Sequence, residues 1–202
     1  MYLIDINIYK LNKNKKLILS IEDIAEILSI SKESAKVTAN RYVKQKFLLR
    51  IKKNLYITPV KFDTLKENEF FQLANYTQVP SYISLASALS YYNIYTQQLR
   101  GVIESVALKR SRTFNVDEIE FRFILVKKKF YTGFVTENNF FIAAPKKALA
   151  DAVYLSSLGK YNLDFDAVDF GKISKSEVNE YIKLTNSRTK IFWDKLCKRY
   201  KI

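Results

Sequence analysis

Between Ser20 and Ile57 the chain carries two short amphipathic segments, a tight break between them and a basic two-stranded pattern. Few folds satisfy all of these in that order. Ser20 with Asp23 three residues on is a capping-box pattern. Ile21, Ile24, Ala25 and Leu28 then fall on one face of a helix. Ser29, Ile30 and Ser31 interrupt it, and Ser31 is placed to cap a second helix. Ala35, Ala39, Tyr42 and Val43 line the inner side of that helix, while Lys32, Lys36, Asn40 and Lys44 recur every four residues on another, with Arg41 close by. A small apolar face backed by a polar, basic one suits a helix lying in the major groove of DNA.

A lysine-rich helix face is often merely solvated, so the segment that follows decides the reading. In Leu49, Arg50, Ile51 and Lys52 apolar and basic residues alternate, which places Arg50 and Lys52 together away from the core. Lys53 and Asn54 can turn the chain, since Asn tolerates positive φ, and Leu55 to Ile57 returns as the partner strand. A basic hairpin directly after a basic helix predicts a winged helix-turn-helix, with Arg50, Lys52 and Lys53 expected on phosphates. Lys36 is expected on guanine, Asn40 on adenine, and Arg41 and Lys44 on phosphate. Ser31 and Lys32 stand at the start of the reading helix.

The net charge of +14 points to a polyanionic partner. Residues 1–60 hold 12 Lys/Arg against 5 Asp/Glu, so the first part is more densely charged than the rest. One cysteine and no histidine exclude an intramolecular disulfide, a Cys/His zinc site and a Cys–His dyad. No apolar run approaches the roughly 18 residues of a membrane helix, and Met1 to Ile8 lacks the basic start of a signal peptide. A cytoplasmic protein without membrane contact is the expectation.

Tyr2 to Leu11 reads as a first helix, with a short strand as the alternative. Leu17 to Leu19 can add a strand beside the wing. Pro59 closes a first domain, residues 1–59, and Val60 to Asp63 reads as a linker. The remainder, residues 60–202, reads as an α+β domain with a central sheet and C-terminal helices. Leu65 to Tyr76 and Ser84 to Tyr92 are expected helices. Val102 to Leu108, Glu118 to Val126, Phe134 to Thr136 and Phe140 to Ala143 have strand composition. Pro145 sits at the first position of a helix running to Leu155, and a last helical region runs from Ser174 or Ser176 to Tyr200.

Basic clusters follow two of the strands, Lys109, Arg110 and Arg112 after one and Lys127 to Lys129 after another. A third, Lys146 and Lys147, opens a helix. Together they would make a second phosphate-binding patch, with Lys109, Arg110, Arg112 and Lys128 as its DNA contacts. Glu118 and Glu120 faintly suggest half of a magnesium nuclease site, but the Lys of that pattern is replaced by Arg122 and no obvious partner Asp precedes it on a strand. No Walker loop, dinucleotide motif or nucleophile elbow is present. The expectation is a non-enzyme without cofactor or metal.

Four segments carry a family resemblance. They are Pro80 to Tyr92, Lys109 to Phe114, Phe121 to Phe123 and Ala144 to Asp151. In order and spacing these, after a winged helix, resemble the AbiEi family, antitoxins of bacterial type IV toxin–antitoxin (abortive-infection) systems. The likeness covers about residues 15–160. It departs from the family at the wing tip, where glycines are common and this chain has Lys52, Lys53 and Asn54. The resemblance implies an autorepressor that binds inverted repeats in its own promoter and opposes a nucleotidyltransferase-like toxin without forming a stable complex. A plain winged-helix regulator with a sensing or dimerising second domain is the alternative, and a magnesium-dependent nuclease a further one.

Overall fold

The computed structural model describes residues 3–97 and 100–202. The fold is mixed α+β. Helix α1 (Leu3–Lys13) realises the first of the two expectations for its stretch; Tyr2 lies outside the described residues. Helix α2 (Ile21–Leu28) starts as the capping box dictates. The Ser20 hydroxyl accepts the Asp23 N–H at 3.1 Å and the Asp23 carboxylate accepts the Ser20 N–H at 2.7 Å. Ser29, left-handed at φ 55°, ends it. Helix α3 (Lys32–Lys44) follows, with Ser31 accepting the Ser34 N–H at 3.2 Å. Ala35 and Ala39 are fully buried, and their small size lets α3 lie close against α2, where Ile21, Ile24 and Leu28 meet them in a small core with Leu11 and Tyr42.

Strands β1 (Leu49–Lys52) and β2 (Leu55–Ile57) form the expected antiparallel hairpin around Asn54 at φ 62°. Leu19 joins β2 by a single bridge to Tyr56 rather than as a strand. Alternation in β1 fails at one point. Leu49 pairs Ile57 and Arg50 pairs Tyr56, but Lys52 pairs Leu55, so the register slips at Ile51. Ile51 faces the larger core as alternation expects, but beyond the slip Lys52 is half-buried and leaves the face that Arg50 keeps.

Residues expected to link the two parts instead form a helical turn, α4 (Pro59–Phe62), with Phe62 buried. Helix α5 (Glu67–Thr77) follows, with Phe71, Leu73 and Ala74 buried. The remaining elements are β3 (Ser81–Ile83), α6 (Leu85–Tyr91), β4 (Val102–Ala107), β5 (Arg112–Val116), β6 (Ile119–Leu125), β7 (Phe134–Glu137), β8 (Phe140–Ala143), α7 (Pro145–Ser157), α8 (Lys175–Ile182) and α9 (Ser187–Tyr200). The strands make one mixed sheet in the order β5-β6-β4-β3-β8-β7. β3 runs parallel to β8, and β4 parallel to β6, while the other neighbours are antiparallel. Phe140 packs on Phe71 of α5 at 5.2 Å between ring centres, whereas Tyr82 reaches Asp151 of α7, so these two helices cover opposite faces. Helices α8 and α9 pack outside α7.

Two strands were not foreseen. β3 is three residues long directly after Pro80, too short for a period to show, yet it lies at the centre of the sheet. β5 is an edge strand of polar composition, and Arg112, expected in a basic cluster just after a strand, lies on it. Among the described residues no helix is long and apolar enough to cross a membrane.

Candidate nucleic-acid interface

Helix α3 offers an open set of polar side chains. Lys36, Asn40, Arg41 and Lys44 are all exposed, and among the described residues none of their side chains makes an ion pair or a hydrogen bond. Arg41 lies over the Tyr42 ring at 5.5 Å. The same face carries Val37, 69% exposed. Sequence reasoning passed over it because an apolar residue on a polar helix face usually signals nothing. The other two candidates on this helix are already engaged. Ser31 is exposed but spends its hydroxyl on the cap. Lys32 is paired with Glu22 of α2, whose carboxyl is held down at about 2 by the Lys32 ammonium and by further hydrogen bonds.

The hairpin divides its basic residues. Arg50 stays exposed, its guanidinium 6.0 Å from the centre of the Tyr56 ring, and Lys53 is exposed at the turn. Lys52 does not point outward with them. Its ammonium donates to the carbonyls of Thr77 at 2.6 Å and Tyr76 at 3.2 Å, at the C-terminal end of α5. These are carbonyls that a helix leaves without partners, at the negative end of its dipole. Half-burial pushes the Lys52 ammonium's pKa down, and the charges of Arg112 and Arg110 push it further. Lys52 is therefore a joint between the two parts, and the slipped register at Ile51 is why alternation misplaced it. Asn54 is a second joint. Its side-chain oxygen accepts the Ile21 N–H at 2.9 Å, and its amide nitrogen donates to Glu22 at 3.2 Å. The turn is thus held against the start of α2.

Lys52 also brings the hairpin to the first sheet-end cluster, since β1 packs against β5. Arg112 is exposed on β5, its guanidinium 4.8 Å over the Phe114 ring, and Lys109 and Arg110 are exposed just before it. Gln78 holds that loop by donating to the Arg110 carbonyl at 2.7 Å. Lys128, exposed in the turn after β6, lies at the same end of the sheet because β6 is parallel to β4. The Val126 N–H donates to Ala107 at 3.1 Å, tying the two strand ends together. The third cluster does not join them. Helix α7 begins at the opposite end, where Lys146 pairs with Glu177 at 2.9 Å. Lys147 is fully buried in an ion pair with Asp151 and lies 3.9 Å from the Phe130 ring centre. The Asp151 carboxylate accepts Ser84 at 2.7 Å and Tyr82 at 3.0 Å. Burial pushes the Asp151 carboxyl up and the Lys147 ammonium down, against their mutual attraction.

Glu118 and Glu120 do not act as a pair. Glu118 is exposed, while Glu120 accepts Arg122 at 2.6 and 2.9 Å. Arg122 also donates to Glu104 at 3.2 Å. Glu104 was missed in the sequence although an acid inside an apolar strand was the signal available. Among the described residues no group of three Asp, Glu, Cys or His is placed to hold a metal ion.

No protein-family model matches the chain, and no curated protein matches it. A solved structure does. The crystal structure of the RV2827C protein from Mycobacterium tuberculosis is similar with a TM-score of 0.62 at 10% sequence identity, covering 95% of this chain and 74% of that one. At that identity the likeness concerns the fold alone.

Proposed function

We propose that this chain binds double-stranded DNA through an amino-terminal winged helix-turn-helix. Helix α3 reads the major groove, while Arg50, Lys53, Lys109, Arg110 and Arg112 hold the backbone. One observation carries the reading: Lys36, Asn40, Arg41 and Lys44 lie together on α3, exposed and unpaired among the described residues, while Ser31 and Lys32 at its start are committed to a cap and an ion pair. Long side chains left without partners on a small-faced helix suit base edges and phosphates. The net charge of +14 supports the same polyanion.

The resemblance of the four segments to AbiEi antitoxins extends this to autorepression at inverted repeats and to opposition of a nucleotidyltransferase-like toxin in the cytoplasm. The test of DNA binding is selection of duplexes from a random pool by the full chain, followed by titration against a scrambled duplex at one salt concentration. A selected sequence bound no more tightly than the scrambled one rejects sequence reading. Growth rescue on co-expression with a nucleotidyltransferase encoded beside this chain's gene tests the antitoxin role separately.

A further inference from the structure

A cleft of about 450 Å³ opens beside β4 and β6, within the size range of small-molecule sites. Its polar lining is unusual. Glu104 lies in the middle of β4 with 2% of its surface exposed. Burying a carboxylate costs several kcal/mol unless it is paired, and an apolar residue would complete this strand without that cost. Glu104 accepts Tyr161 at 2.7 Å and Arg122 at 3.2 Å. A carboxylate has about four acceptor positions, so capacity remains where it lines the cleft.

Arg122 is held from two sides, by Glu104 and by Glu120, and stays 40% exposed. Its guanidinium is pre-oriented, with N–H groups left over for an anionic oxygen. Lys160 is exposed at the rim, and among the described residues its side chain has no partner. Glu104 is the one acid lining the cleft, against the bases Arg122 and Lys160, and Glu120 outside the lining already pairs with Arg122. The four groups balance, so a ligand of net charge would leave one of them uncompensated beside a buried carboxylate. A zwitterion keeps the balance. Val102 and Ile124 add an apolar wall next to these groups.

We propose that the cleft binds a small zwitterion of the α-amino-acid class, with its ammonium on Glu104, its carboxylate between Arg122 and Lys160, and an apolar side chain against Val102 and Ile124. This goes beyond DNA binding and does not depend on it. It would make the second part of the chain a sensing unit.

The experiment is calorimetric titration of the full chain, without DNA, with each apolar L-amino acid at millimolar concentration. At least one is expected to bind saturably. Its N-acetyl derivative, and the amine lacking the carboxylate, are expected to bind roughly tenfold more weakly or worse, as loss of a charge-assisted contact implies. Lys160→Glu, on an exposed residue, is expected to weaken binding by about the same factor while leaving the fold unchanged. Glu104→Gln should do likewise, and if that variant fails to fold, Lys160→Glu and the two ligand analogues still decide. The proposal is overturned if no apolar amino acid binds, if the N-acetyl derivative binds as well as the parent, or if Lys160→Glu binds as tightly as the native chain.

Discussion

Helices α3 and α7 both carry lysines beside buried alanines, and Lys36 and Lys44 of the one and Lys147 of the other have opposite fates. On α3, Lys36 and Lys44 project into solvent from a helix whose only buried residues are Ala35, Ala39 and Tyr42. On α7, Lys147 is shut inside the largest core with Asp151, and ten residues of the helix are buried. The difference lies in what surrounds each helix. α3 has one neighbouring layer, while α7 has the sheet on one side and α8 and α9 on the other. A lysine on an enclosed helix must find a carboxylate, whereas on an open helix it can stay available, as Lys36 and Lys44 do although Lys32 pairs with Glu22. Availability, rather than lysine content, is what marks a surface for a partner.

The sharpest break between the two is stability. Asp151→Ala leaves the Lys147 ammonium buried without a partner, and should cost about 3–5 kcal/mol in a urea melt. Lys147→Met should cost clearly less, because a protonated Asp151 can still bond Tyr82 and Ser84. A loss below about 1 kcal/mol for Asp151→Ala would put the pair on the same footing as a surface lysine. On α3 the expected effect moves from stability to binding. Lys36→Ala and Asn40→Ala should each weaken a selected duplex by about 1–3 kcal/mol, with little effect on scrambled DNA. The melt should change by no more than about 0.5 kcal/mol. Lys44→Ala should weaken both duplexes alike. If Lys36 and Asn40 are neutral on the selected duplex, α3 is not the reader.

The hairpin provides a contrast on a smaller scale. Lys52→Ala should lower stability by about 1 kcal/mol through its lost bonds to Tyr76 and Thr77, and leave the salt dependence of DNA binding unchanged. Arg50→Ala and Lys53→Ala should do the reverse, reducing the salt slope by about 1 each. The smallest effect belongs to Val37. Against duplexes in which uracil replaces thymine, the native chain should lose up to about 0.8 kcal/mol for a methyl contact. Val37→Ala should shrink that loss. Equal discrimination in both proteins would clear Val37 of any contact with a thymine methyl.

Much of the fold could be read from period and punctuation. The capping box at Ser20, the break at Ser29, the turn at Asn54 and Pro145 at the head of α7 each depend on a few local residues, and each lies where the sequence placed it. What escaped depends on distant neighbours. The three residues of β3 show no period of their own and become a strand only because β4 and β8 flank them. Lys147 looked like part of a basic patch because Asp151 was not seen as its partner one turn on. Lys52 looked like a phosphate contact because the register slip at Ile51 leaves no local mark. Of the site, the exposed face of α3 was legible from spacing. The Glu104–Arg122 contact was not, since it joins strands whose pairing only the sheet defines.

Strand β2 belongs to both halves of the molecule. Tyr56 is buried in the small core with Leu11 and Ile24, and the next residue, Ile57, in the large core with the sheet. A partition shared in this way removes the hinge on which two independent modules would turn. Neither core can open without stripping one wall from the other, so local loss of order in either half raises the free energy of both. Heat or denaturant should then meet a single cooperative unit. Any ligand held by one half, at α3 or in the cleft beside Glu104, would be felt as added stability by the whole chain.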